Sequence, residues 1–195
     1  WYATKTVDNL SEGYELVSEP GNGSGTYIDG NIEVTYYYKT IPTSVIVHHY
    51  LEGTTTKLAD DVTFDGIVGD NYTTGVATVD NKYELVEMPT NANGKMTREP
   101  IVVIYYYRVK DAVVNVRYLE KGTDKVLADQ DRLDGKVDED YETKPKDIDG
   151  YQLVEHTGNE KGKFEVEPLT ITYYYLYKTK ATVQYIDKIT GQILE

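Results

Sequence analysis

Three stretches of this chain alternate in a way that predicts β-strands. They run from Ile32 to Lys39, Ile101 to Val109 and Leu169 to Tyr177, and all are rich in β-branched and aromatic residues. One parity carries Ile32, Val34, Tyr36 and Tyr38, then Ile101, Val103, Tyr105 and Tyr107, then Leu169, Ile171, Tyr173 and Tyr175. This face is uniformly apolar or aromatic, so it is expected to face the core. The other parity mixes charged, polar and apolar residues. It places the middle tyrosine of each triplet, Tyr37, Tyr106 and Tyr174, toward solvent.

These strands are copies of one another. Tyr-Tyr-Tyr begins at 36, 105 and 173, steps of 69 and 68. Tyr-Glu/Gln-Leu-Val begins at Tyr14, Tyr83 and Tyr151 with the same steps. A third marker, an apolar stretch ending in Tyr-Leu/Ile-Glu/Asp, falls at Tyr50, Tyr118 and Tyr185, steps of 68 and 67. A fixed period of this length is the mark of a tandem array. The expected units are residues 1–40 (the back half of a repeat), 44–109 and 113–178 (full repeats) and 180–195 (the front half of another). The chain therefore reads as a segment of a longer array. The stretches Thr40–Thr43 and Lys110–Ala112 read as short linkers, which favour an elongated rod over loosely tethered domains.

Alignment on the third marker predicts an opening strand. Its inward series is Ile46/Val114/Ala181, His48/Val116/Val183 and then the tyrosine. Gly with Thr or Asp at 52–56, 120–124 and 187–191 signals a hairpin turn after it. The middle of each unit, 66–72 and 135–141, is polar and has room for a short helical turn. No segment sustains a 3.6-residue apolar period, so the fold is expected to be mainly β, built from tandem small repeats.

Composition narrows the functional classes. The 195 residues include 33 Asp+Glu and 20 Lys+Arg, a net charge of −13. Such a balance argues against nucleic acid or an anionic membrane as partner. No apolar run is long enough for a membrane-spanning helix. The absence of cysteine excludes disulfides, zinc–thiolate sites and a cysteine nucleophile. His48 and His49 are strand neighbours with opposed side chains and cannot chelate one metal together. The acids Asp129, Asp131, Asp134, Asp138, Glu139, Asp140 and Glu142 suggest calcium, but Asp-x-Asp-x-x-Asp-Gly at 129–135 misses the EF-hand spacing, and the first repeat lacks the pattern. They read as a solvated acidic loop. No hydrolase, phosphate-loop or zinc-protease motif occurs. No enzyme activity, cofactor or metal is expected.

Tyrosine supplies 20 of the 23 aromatic residues. Most belong to the predicted core. Tyr37, Tyr106 and Tyr174 are the candidate ligand contacts, an exposed ring in each copy that can stack on a sugar face or an extended polypeptide. Weak contacts repeated in tandem raise avidity.

The spaced markers resemble a known family. Tyr50-Leu51-Glu52 is followed by Lys57-Leu58-Ala59-Asp60, Gly66, Gly69 and Tyr72. Tyr118-Leu119-Glu120 is followed by Val126-Leu127-Ala128-Asp129, Gly135, Tyr141 and Gly150-Tyr151. This pattern is similar to the mucin-binding-protein (MucBP) repeat of Gram-positive surface proteins. Asp138 replaces Gly69 in the second repeat, a departure with no evident consequence in the sequence. The resemblance implies all-β or ubiquitin-like (β-grasp-like) repeats, an extracellular, wall-attached location and an adhesive role toward mucin-type glycoprotein or glycan. The alternative is a stalk that projects another binding domain. The two half-repeats, each short of partner strands, are further expected to offer edges for self-association.

Overall fold

The structure is a computed structural model that describes residues 1–7, 10 and 12–194. It falls into two compact units, Trp1–Arg108 and Val109–Glu195, and among the described residues every regular element is a strand.

The first unit opens with β1 (Tyr2–Ala3), β2 (Tyr14–Ser18), β3 (Ser24–Gly25) and β4 (Tyr37–Thr40). These form two antiparallel two-stranded ladders, β1 with β3 and β2 with β4. The predicted strand at 32–39 is therefore shorter than expected and begins only at Tyr37. The first full repeat follows, with β5 (Pro42–Leu51), β6 (Lys57–Ile67), β7 (Asn71–Thr73), β8 (Tyr83–Leu85), β9 (Asn93–Lys95) and β10 (Ile101–Val109). Its sheet order is β6-β5-β10-β8. The β5–β6 hairpin is antiparallel, and β10 returns parallel to β5. Parallel neighbours require a crossover. Here the crossover is the small β7–β9 ladder with its loops, not the helical turn for which the sequence had room.

The second unit repeats this plan. It contains β11 (Asp111–Glu120), β12 (Val126–Lys136), β13 (Asp140–Glu142), β14 (Tyr151–Thr157), β15 (Lys161–Lys163) and β16 (Leu169–Tyr177). The order is β12-β11-β16-β14, with β13–β15 as the crossover ladder. A final hairpin, β17 (Tyr185–Ile186) and β18 (Ile193–Leu194), closes the described chain. The parallel pair flanked by antiparallel strands is a β-grasp-like sheet order without the helix. The stretches read as linkers are largely strand: Pro42 starts β5, and Lys110 alone separates β10 from β11.

Each core lies between the inner sheet face and its crossover. In the first repeat it comprises Val45, Val47, Tyr72, Ala92, Met96, Val103, Tyr105 and Tyr107. In the second it comprises Val114, Val116, Tyr118, Tyr141, Phe164, Ile171, Tyr173 and Tyr175, with Ala112 and Val137. The outer two tyrosines of each full-repeat triplet are thus core residues, as their parity predicts. A buried phenol must place its hydroxyl. Tyr36, Tyr105 and Tyr173 each meet a threonine, at 2.7 Å (Thr4), 2.8 Å (Thr74) and 3.0 Å (Thr143). Tyr2, Tyr72 and Tyr141 each donate to a carbonyl, that of Asn22, Asn91 or Asn159.

Two expectations need correction. In the first repeat the inward residues of the opening strand are Val45, Val47 and His49, while Ile46, His48 and Tyr50 are half-buried on the outer face. The ladders explain this. His49 pairs with Tyr105, just as Tyr118 pairs with Tyr173. The structural counterpart of Tyr118 is therefore His49, and alignment on Tyr50 is one residue out. A one-residue slip exchanges the faces of a strand. Secondly, the Gly69/Asp138 difference has a backbone consequence. Gly69 has φ +91° and Asp138 holds φ +73°, a left-handed conformation that costs a residue with a Cβ more than glycine.

Candidate functional site

The outer face of each full-repeat sheet carries the best candidate surface. It forms because strand alternation sends one parity of β5/β10 and β11/β16 away from the core. In the second repeat, Arg117 and Leu119 from β11, Gln130 from β12, and Thr172 and Tyr174 from β16 line a depression of about 480 Å³. Gln130 Nε2 donates to Asn115 Oδ1 at 3.0 Å, which orients the amide and leaves its oxygen to accept. Among the described residues Arg117 forms no ion pair, so its planar donor fork is available. One aromatic ring, one guanidinium, one amide and one hydroxyl are suited to a hydroxylated ligand. The arginine adds affinity for a carboxylate.

The first repeat presents the corresponding positions with different residues. His48 stands where Arg117 does, Tyr50 where Leu119 does, Asp61 where Gln130 does, and Tyr106 where Tyr174 does. Tyr106 lies across the parallel ladder from Tyr50. The His48 ring stacks on Tyr50 with centroids 5.5 Å apart and 24° between planes. His48 Nδ1 is 2.8 Å from Asp61 Oδ1, and Lys57 Nζ is 2.6 Å from Asp61 Oδ2. The close contact with His48, then the hydrogen bond from Lys57, holds the Asp61 carboxyl below the ordinary carboxylate range. This surface is a short aromatic shelf beside a fixed charge cluster.

Tyr37, Tyr106 and Tyr174 all lie on outer strand faces. Their exposure falls from 68% for Tyr37 to 41% for Tyr106, and Tyr174 is half-buried in its depression. The structure brings Tyr106 and Tyr174 together with planar and polar neighbours. Tyr37 sits at the start of β4, beside the Lys39–Glu15 pair at 2.9 Å. The neighbours His48, Tyr50 and Arg117 were missed in the sequence because the misaligned marker assigned His48 and Tyr50 to the core. Moving that alignment by one residue pairs His48 with Arg117 and would have revealed them.

The acids that suggested calcium are mostly engaged with bases. Asp131 Oδ1 is 2.6 Å from Lys146 Nζ, Asp134 is 2.8 Å from Arg132, Asp140 is 3.0 Å from Lys163, and Glu142 is 3.2 Å from Lys161. Asp131 also accepts from the Tyr118 hydroxyl at 2.8 Å, and Lys146 lies 4.4 Å from the centroid of the Tyr118 ring. Burial, then Asp131, pushes the Tyr118 phenol upward, while hydrogen bonds from Lys146, then Tyr118, hold the Asp131 carboxyl down.

Comparison with known proteins then decides the family. The MucBP domain model matches residues 2–39, 44–108 and 113–176, most of the chain. The chain belongs to the MucBP domain family. Among the relatives, Internalin J of Listeria monocytogenes serotype 4b (strain F2365) is 33% identical over 186 residues. That match covers 90% of this chain and 20% of that protein. Internalin I of the same strain is 28% identical over 164 residues, covering 82% of this chain and 9% of that protein. The chain therefore spans a fifth or less of the length of these relatives. Two solved structures are also similar: streptococcal SHIRT domains 3–4 of a cell surface protein (9% identity, TM-score 0.33, 71% of this chain and 99% of that one) and Mub-RV (9% identity, TM-score 0.26, 70% and 99%). At those scores neither bears on the fold of these MucBP repeats.

Proposed function

We propose that this chain is part of the repeat region of an adhesin on the surface of a Gram-positive bacterium, and that its repeats bind mucin-type glycoprotein or glycan weakly and multivalently. Membership of the MucBP family and the internalin relatives support the surface-protein setting. The observation that carries the binding reading is the recurrence of one outer-face position in both full repeats. There Tyr106 and Tyr174 stand beside a nitrogen-bearing planar group, His48 or Arg117, and a polar side chain, Asp61 or Gln130. Aromatic rings pack against the apolar faces of sugars, and the planar donors serve their hydroxyls. Arg117 offers a local cation for an acidic sugar in a chain whose overall charge repels one. Each contact is weak, so affinity is expected to grow with repeat number. On this reading the protein is extracellular and wall-attached, and it performs no catalysis.

The test is immobilised-mucin binding by chains of one, two and four repeats, and by the Tyr37→Ala, Tyr106→Ala and Tyr174→Ala variants of the 195-residue chain. Affinity that does not rise with repeat number rejects multivalent adhesion. Binding unaffected by the three substitutions rejects the tyrosine surface.

A structural stalk is the second reading. It is favoured by the single residue, Lys110, between β10 and β11, which leaves little free chain between the repeats. No saturable binding to mucin or glycan would favour it.

A further inference from the structure

The topology brings the first and last long strands of each full repeat together at the centre of its sheet. In the first repeat the chain enters β5 at Pro42 and leaves β10 at Val109. Those two strands run parallel, in register from Val45–Ile101 to Leu51–Tyr107, seven residue pairs. The second repeat does the same with β11 and β16, from Val114–Leu169 to Glu120–Tyr175, again seven pairs. One further bond prolongs each ladder: Glu52 N–H donates to the Tyr107 carbonyl and Lys121 N–H to the Tyr175 carbonyl, both at 2.8 Å. Neither strand of the pair is an edge strand, because β6 and β8 flank it in one repeat and β12 and β14 in the other.

This arrangement fixes how tension acts. Pulled along the chain, β5 is drawn from its N-terminal end and β10 from its C-terminal end. In parallel neighbours those points lie at opposite ends of the ladder, so the load runs along the strands and bears on all the rungs together. In an antiparallel hairpin such as β5–β6 the free ends lie side by side, and the rungs open one at a time. The parallel rungs are also shielded. On the inner face Val45, Val47, His49, Val103, Tyr105 and Tyr107 are buried, as are their counterparts in the second repeat. Hydrogen bonds screened from water in this way are electrostatically stronger.

We infer that the β5–β10 and β11–β16 pairs are mechanical clamps, and that a function of the full repeats is to carry tensile load. Lys110 alone separates the two clamps, so tension passes from β10 to β11 through a single residue of free chain. The half-repeats lack this element. Among the described residues β4 pairs only with β2 and β17 only with β18, both antiparallel. The load-bearing role goes beyond the adhesive reading and is independent of what the repeats bind, since tension between attachments on either side of them must cross both clamps.

The chain has no cysteine, so engineered thiols place force handles uniquely. Magnetic tweezers at constant tension compare two handle pairs on the 195-residue chain. Thr40→Cys with Lys110→Cys pulls β10 from its end and shears the ladder. Thr40→Cys with Glu99→Cys pulls β10 from its start and peels the same ladder from Val45–Ile101 onward. At equal tension the first repeat is expected to unfold about tenfold more slowly in shear than in peeling, forced unfolding being governed by the unfolding rate. Pulled from its two termini, the chain is expected to show two late, cooperative steps after the half-repeats have extended, each releasing roughly 230 Å of contour length. Thermal unfolding checks that each variant is folded. The equivalent pairs in the second repeat, Lys110→Cys with Lys178→Cys and Lys110→Cys with Glu167→Cys, serve if the first do not fold. Equal or faster unfolding in shear, or gradual extension without the two steps, would overturn the inference. Mucin binding is read separately, so its absence leaves the clamps standing, and failure of the clamps leaves the adhesive reading standing.

Discussion

Alanine at Gly135 and alanine at Gly66 should differ in cost, although the two glycines occupy equivalent places in β12 and β6. A Cβ added to Gly135 would come within 2.8 Å of both Cδ2 and Cζ of Phe164, and Cε2 is nearer still. Real Cβ atoms do not approach ring carbons so closely, so the ring must move. It has little freedom, because Phe164 is only 5% exposed and packs edge-on against Tyr141 at 5.5 Å and 62°. Forcing volume into a packed core costs about 1–3 kcal/mol, and a rigid ring places Gly135→Ala near about 2 kcal/mol. For a domain of this size that lowers the melting temperature by roughly 8–16 °C. At Gly66 the obstacle is the end of Met96, with Sδ at 2.5 Å and Cε at 3.0 Å. A thioether with three rotatable bonds can swing aside, so Gly66→Ala should cost less than about 1 kcal/mol. Thermal unfolding of the full chain, with hydrogen exchange followed separately in β11/β16 and β5/β10, measures both costs. A Gly66→Ala cost equal to or greater than that of Gly135→Ala would refute the reasoning.

Other expectations follow from the same geometry. Gly69→Ala should destabilise the first repeat by about 1–2 kcal/mol through its φ of +91°, read as faster exchange in β5 and β10, whereas Asp138→Gly should not destabilise the second. His49 is held neutral in the folded state below its unfolded pKa. The unfolded chain therefore binds more protons, and the stability of the first repeat should fall as pH drops below about 6.5. The second repeat, with Tyr118 at that position, provides the internal control, and an equal fall in both would reject the assignment. Lys146→Met should raise the Asp131 carboxyl toward its ordinary range, followed by carboxyl NMR. Because that carboxyl is depressed in the fold, the variant also loses the stability the pair supplies above the unfolded pKa, a contribution that wild type surrenders as pH falls through the folded value.

Much of the architecture was legible in the sequence because repetition made each strand readable three times. The triplet parity placed Tyr105, Tyr107, Tyr173 and Tyr175 inward, and two full strands, β10 and β16, have the predicted bounds. The crossover was not legible, since β7 and β9 span only three residues each, too few to show a period. The candidate surface was half legible. Parity found Tyr37, Tyr106 and Tyr174, but their companions His48, Tyr50 and Arg117 depend on register.

By itself the sequence determined the repeat, the β-rich class and the core face of the triplet strands, all of which follow from spacing along one chain. Only the tertiary structure decided which residue of the opening strand meets the buried tyrosine. His49 and Tyr50 are adjacent aromatics, so pattern alone cannot choose between them. The parallel ladder to Tyr105 chooses His49, sending Tyr50 and His48 to the outer face.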